Sequence, residues 1–519
     1  MAEQRTTIFK PKFRPWRVGR LVVVLLGGVA LAHAAWDWHT GRALRQRVDA
    51  LRAGGERVLP DDFATKQSVN TYENAARDLR AAIAIVDDDS EHADTASWVP
   101  STRPVDPRAW PYMTRATEWF EPAIRRVARA QAKPVCDWEH CIPSPALDLL
   151  LPELNGLRSI QHVLVTSALV EHRARRDDRV VRRFGQILYL GDTCARTPAA
   201  VAHLIALGTN GVVAMRVEEL GPDLQIGAAP GNASADDVRK LIATLLDETT
   251  IASGFETAMQ AERMTKLDAA ALYDRDRELG ATAGYLARPW LQGQGRVSLD
   301  RSTRVIEALR GASGWPTAAG GLDALPPMPK RAFLADVLDM RDVMRRTAET
   351  HFLALTDRRL AATALAIRLY EVEHGGERPQ RLEELVPKYL PKVPLDAMAS
   401  GGRPTGYLPR AEHPVLYSVG RNGVDDAAAE SAMPNAFGEI DEWGRLDRVF
   451  YLSGRQREYI YIARPIRPGD GMYAAVMGEG RPPWERDGED ASAATQPASP
   501  PDPPAQPAAS PGDPAFTPR

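Results

Sequence analysis

Cysteine is scarce in this chain: 519 residues carry only Cys136, Cys141 and Cys194. Three thiols cannot staple a disulfide scaffold, so buried apolar side chains must hold the fold. Aromatic residues make up 7% and nowhere alternate with basic ones as a base-stacking surface requires. Net charge is close to balance, at −3 with a pI near 6.4. Nucleic acid is therefore not expected as a partner. G-x-S-x-G, H-E-x-x-H, a phosphate-cradling glycine loop and a dinucleotide fingerprint are all missing. Acidic pairs such as Glu256 and Glu262 occur, but helix faces carry such pairs routinely. Strand patterns are nearly absent before residue 400.

What is present is an ordinary folded composition, 44% apolar and 26% charged, in a chain long enough for several domains. One long apolar stretch stands out, Val18–Trp36, with a charge-free run from Leu21 to Ala32. Arg5, Lys10, Lys12, Arg14, Arg17 and Arg20 precede it against a single Glu3, and Trp16, Trp36 and Trp38 flank it. A span needs about 20 residues, basic residues stay cytoplasmic, and indoles favour the interface. The reading is a signal-anchor in the cell inner membrane, with the N-terminus cytoplasmic and the body outside. The A-x-A pattern Ala32-His33-Ala34 offers a cleaved signal peptide as the rival; either way the body is exported.

Beyond the anchor, a polar helix over residues 40–56 is stopped by Gly54-Gly55. Apolar residues then recur at helical spacing over 70–87, 113–132, 145–175, 179–196, 199–219 and 235–264. The turn Arg175–Asp178 joins one pair as a hairpin, without a clean 34-residue repeat. Residues 280–330, rich in Gly and Pro, predict an exposed excursion around one short helix, Leu299–Leu309. The fold class is mainly α. Residues 1–17 form a cytoplasmic basic segment, 18–38 the anchor, 39–335 an all-α domain, 336–480 a small α+β module and 481–519 a disordered Pro/Ala/Ser-rich tail.

In the C-terminal module an aliphatic helix, with Leu353, Leu360, Leu365, Leu369 and Val372 on one broad face, runs into His374-Gly375-Gly376. Pro379 opens a short helix anchored by Leu382, Leu385 and Val386. Val415–Val419 reads as a strand and Asn422-Gly423 as a hairpin turn, with further strands at Val449–Leu452 and Tyr459–Ile462. The landmarks His374-Gly375, Pro379, Leu382, Leu385, Val393-Pro394, Asp396 and Tyr417–Gly423 resemble the head of the major pseudopilin of type II secretion. The match covers about 70 residues and implies a fold more than a function. Arg20 after Gly19, and Val24 where a prepilin carries Glu, depart from the processing signal, so fibre assembly by the usual route is not expected. Cys136, Leu149–Arg158 and the helices after it are similar to a group of bacterial membrane-anchored proteins with the same layout.

In that pseudopilin the loop after the strand holds calcium. The resemblance implies Asn422, Asp425, Asp426 and Asp447 as ligands here, with Glu439 and Asp441 nearby, and calcium as the one candidate cofactor. The competing reading is a solvated acidic loop. Cys136 and Cys141 are candidates for a small disulfide loop; pairing with Cys194, or zinc held with His140, are the alternatives. The functional expectation is a membrane-tethered, non-enzymatic envelope binding or scaffold protein with unidentified envelope partners. The alternative is an envelope hydrolase with catalytic groups dispersed through the helices.

Overall fold

The computed structural model describes residues 15–64, 72–88, 107–144, 146–272, 280–328, 339–410, 413–429 and 446–453, with 93, 96 and 105 between them. These residues lie in one unit, Met1–Arg467. The expected strand at 459–462, the tail 481–519 and residues 1–14 of the basic segment fall outside the described residues.

The first element is one continuous helix, α1 (Pro15–Ala53), so anchor and polar helix are a single rod. Gly54 and Gly55 end it, Gly55 at φ 85°, where a side chain would be strained. α2 (Ala76–Asp87), α3 (Trp110–Trp119) and α4 (Glu121–Gln131) follow. The helix expected over 113–132 is broken at Phe120, because Pro122 begins a new first turn. α5 (Glu153–Arg173), α6 (Asp177–Ala195) and α7 (Ala200–Leu220) pack in succession through short turns, the first with Arg175 at φ 59°.

α8 (Ala235–Leu246) is capped by Ser234, whose side chain accepts from Asp237 N. α9 (Thr249–Leu272) is separate from it, so the expected helix over 235–264 divides at Asp247. Arg358, 2% exposed, explains how the break is tolerated. Its guanidinium donates to Leu245 O at 2.9 Å, Thr244 O at 2.5 Å and Asp247 O at 2.8 Å, satisfying the carbonyls that end α8.

Residues 280–328 correct the excursion expected over 280–330. They form a 30-residue helix, α10 (Gly280–Leu309), and α11 (Trp315–Asp323). Pro289 lies inside α10, and glycines recur along it, so propensity pointed to a loop. Packing against α1 and α9 overrides that preference.

α12 (Arg341–Glu373) is the central helix, packed on α7, α8 and α11. From His351 to Ile367 nearly every side chain is withdrawn from water, as befits a helix contacted on several sides. Leu365 and Leu369 are buried as expected, but Val372 is 39% exposed, because it falls on the outward side of the last turn.

A three-stranded antiparallel sheet follows: β1 (Gly406–Leu408), β2 (Val415–Ser418) and β3 (Arg448–Tyr451), in that order. Leu416 faces Phe450 and Tyr417 faces Val449. Asn422-Gly423 makes a turn but no two-residue hairpin, since the partner of β2 begins only at Arg448. β1 was not anticipated. It depends on Gly406, where a Cβ would fall 2.1 Å from the Tyr417 ring. Leu382–Leu385 is a 3-10 turn in place of the short helix.

Candidate functional site

A cavity of about 750 Å³, bounded by described residues, opens where α1 leaves its apolar stretch. α1 supplies Gly41, Leu44, Arg45, Val48 and Asp49. The segment after its glycine stop adds Val58, Leu59, Pro60 and Asp61. Met264, Leu267 and Asp268 come from α9, Leu291, Gln292 and Gly295 from α10, and Ile142 and Ser144 from the loop before α5. Its apolar wall continues into a buried cluster of Val48, Leu51, Val58, Leu267 and Leu299. That size and lining are those of a small-molecule site.

Local chemistry sets the walls. α1 and α10 run parallel, tied by His33 Nε2 to Leu286 O at 3.2 Å, Thr40 Oγ1 to Gln292 Oε1 at 2.9 Å and Arg47 Nε to Asp300 Oδ1 at 2.6 Å. Gly41 permits this approach, since a Cβ there would meet Gln292 Oε1 at 3.0 Å. Asp62 accepts from Val58 N and Leu59 N, each at 2.9 Å, and turns the chain back over the cavity. Burial would raise its carboxyl, but these backbone bonds and Arg52 outweigh that and hold it low. Asp268 is engaged by Ser144 Oγ and Ala146 N, both at 2.7 Å. Nearby, Arg263 is 1% exposed and donates to Glu56 at 2.8 Å, and Arg310 reaches the same carboxylate at 2.6 Å. Burial raises Glu56, yet the two arginines more than offset it and its pKa is lowered. Arg45, Asp49 and Asp61 are exposed at the rim, and none has a hydrogen-bond or ion-pair partner among the described residues.

The calcium candidates are brought together, but their oxygens are engaged. Asp425 accepts from Arg403 Nη2 at 2.6 Å and Ala427 N at 3.0 Å. Asp447 accepts from Asp426 N at 3.3 Å and Ala428 N at 2.7 Å. Asn422 donates to Asp426 at 2.8 Å and accepts from Val424 N at 3.0 Å. Burial first, then the charges of Asp426 and Asp425, push Asp447 upward against its backbone bonds. Calcium wants about 6–8 oxygens. With Arg403 already supplying positive charge at Asp425, this arrangement does not fit the ion. Glu439 and Asp441 lie outside the described residues. No group of three or more metal-ligating His, Cys, Asp or Glu gathers among the described residues.

All three cysteines are free thiols, so the bridge expected between Cys136 and Cys141 is not present in this structure. Glu139 takes φ 57°, His140 turns onto Glu153, and Cys141 is left at the surface. Glu256 and Glu262 are not brought together as a pair: Glu256 holds Arg310 at 2.8 Å and Glu262 faces Lys266 at 3.4 Å. The cavity residues were not singled out by sequence reasoning. Their one signal was Leu44 and Val48 on the otherwise polar end of α1. No protein-family model, curated protein or solved structure matches this chain.

Proposed function

We propose that this chain is a membrane-tethered, non-enzymatic binding protein of the cell envelope, its N-terminus cytoplasmic and its body outside. The observation that carries the reading is α1. Within Gly19–Ala53 it holds an 18-residue apolar window long enough to cross a membrane, none of it buried, and Leu21, Val23, Val24 and Leu31 stand 61–75% exposed. Soluble monomers rarely expose an apolar patch of that size, and such patches mark membrane or protein contact. The same helix continues into the wall of the 750 Å³ cavity, and that supports reading the cavity as a binding site at the base of the tether. The pseudopilin-like reading of residues 336–480 stays part of the proposal. In its described part, α12, the glycine stop and the strands β1, β2 and β3 follow one another.

Carbonate washing of membranes tests the tether. The full chain is expected to stay in the pellet, and a chain beginning at Trp36 is expected in the supernatant. Release of both would contradict the reading.

A further inference from the structure

The cavity at the base of α1 combines three observations that together define a ligand. First, its position: Gly41 on its wall is three residues beyond Trp38, about 5 Å along a helix axis. Trp36 and Trp38 are 49% and 60% exposed, and beside them on α10 Tyr285, Leu286 and Trp290 are 40–58% exposed. Indole and phenol rings at that level mark a lipid–water boundary, and Trp290 adjoins Leu291 of the cavity wall. Second, its lining is mostly apolar, with Leu44 and Val48 of α1 facing Leu59, Met264, Leu267 and Leu291. Third, its rim carries one cation and two anions without partners among the described residues: Arg45, Asp49 and Asp61. Arg45 folds back along α1 so that its Nη1 would lie 3.3 Å from a Cβ at Gly41. Asp49 follows one turn later, about 6 Å up the helix.

We propose that this cavity receives an acyl chain of a zwitterionic, amine-bearing phospholipid from the adjoining bilayer, with Arg45 on the phosphate and Asp49 and Asp61 on the amine. A purely anionic amphiphile would satisfy Arg45 but meet two carboxylates. A neutral apolar molecule would draw nothing from the three charges, which stay in water. A phosphate and an ammonium on one head group complement the rim. The inference rests on the tether reading, because the bilayer is the source of the ligand.

The test uses the full chain in vesicles of phosphatidylethanolamine and phosphatidylglycerol, with a photoactivatable diazirine at the end of one acyl chain. Crosslinked peptides are mapped by mass spectrometry. Labelling by the phosphatidylethanolamine probe is expected both on residues 21–31 and on the cavity peptides with Leu44, Leu59 and Leu291. Arg45→Ala and the pair Asp49→Asn/Asp61→Asn are each expected to lower cavity labelling about tenfold, as loss of a charged hydrogen bond would. Labelling of residues 21–31 should not change. These positions are on the surface, so the variants fold. Crosslinks confined to residues 21–31 would overturn the inference and leave the tether intact. Absence of label on 21–31 as well would overturn both. Equal cavity labelling by a phosphatidylglycerol probe would overturn the role given to the two aspartates.

Discussion

Arg448 of β3 donates through Nε to Asp357 Oδ1 of α12 at 3.2 Å, with the arginine 1% exposed. Its Nη2 reaches Glu218 of α7 at 3.2 Å, and Glu218 also accepts from Tyr451 N at 3.0 Å. One guanidinium thus joins the sheet to two helices of the bundle. Removing it takes the positive charge away from two buried carboxylates. Arg448→Ala is expected to destabilise the chain by about 3–5 kcal/mol, measured by urea unfolding of the detergent-solubilised protein. A loss below about 1 kcal/mol, the range of an exposed pair, would contradict this role.

Leu369 and Val372, three residues apart on α12, separate the buried from the outward side of that helix. Leu369 is 0% exposed, so Leu369→Ala is expected to cost about 2–5 kcal/mol. Val372→Ala, at a 39% exposed position, is expected to stay within about 0.5 kcal/mol. Equal losses in thermal or urea unfolding would contradict the burial assigned to α12.

The helical body was legible because apolar residues recur at helical spacing in stretches such as Leu154, Leu157, Ile160 and Leu164. α10 was not, because local propensity argues against a helix through Pro289 and its glycines, and the packing that overrides it comes from residues some 250 positions away. β1 is three residues long, too short for an alternation to register. The cavity was invisible for a related reason. Arg45, Asp61, Ser144, Asp268 and Gln292 share no local pattern and meet only once five segments are folded together.

His203 is 0% exposed, with no hydrogen-bond partner for either ring nitrogen among the described residues, between Phe255 at 5.6 Å and His351 at 5.5 Å. Burial pushes its pKa down to about 4, and burial pushes His351 in the same direction. In the unfolded chain a histidine titrates near 6.5. The unfolded state therefore binds more protons between the two values, and stability is complete above about pH 6.5 and falls as pH drops toward 4. For His203 alone the loss is on the order of 3 kcal/mol. His203→Phe is expected to flatten the fall in urea midpoint between pH 7 and pH 4. An unchanged slope would contradict the buried neutral imidazole.

Cys141 is exposed, Cys136 partly buried and Cys194 buried. Burial raises the thiols of Cys136 and Cys194 to about 12, which keeps them protonated and unreactive. Alkylation of the native protein followed by mass mapping is expected to modify Cys141 first and Cys194 only after unfolding. Early modification of Cys194 would contradict its place between the helices.

The central claim is a tether that sets the body outside the cytoplasm, and a topology reporter tests it most directly. Alkaline phosphatase, active only outside the cytoplasm, is fused after residue 60, and a cytoplasm-active reporter is fused at the same point in a parallel strain. The account predicts phosphatase activity in the membrane fraction and silence of the cytoplasmic reporter. An inactive phosphatase with an active cytoplasmic reporter would contradict it.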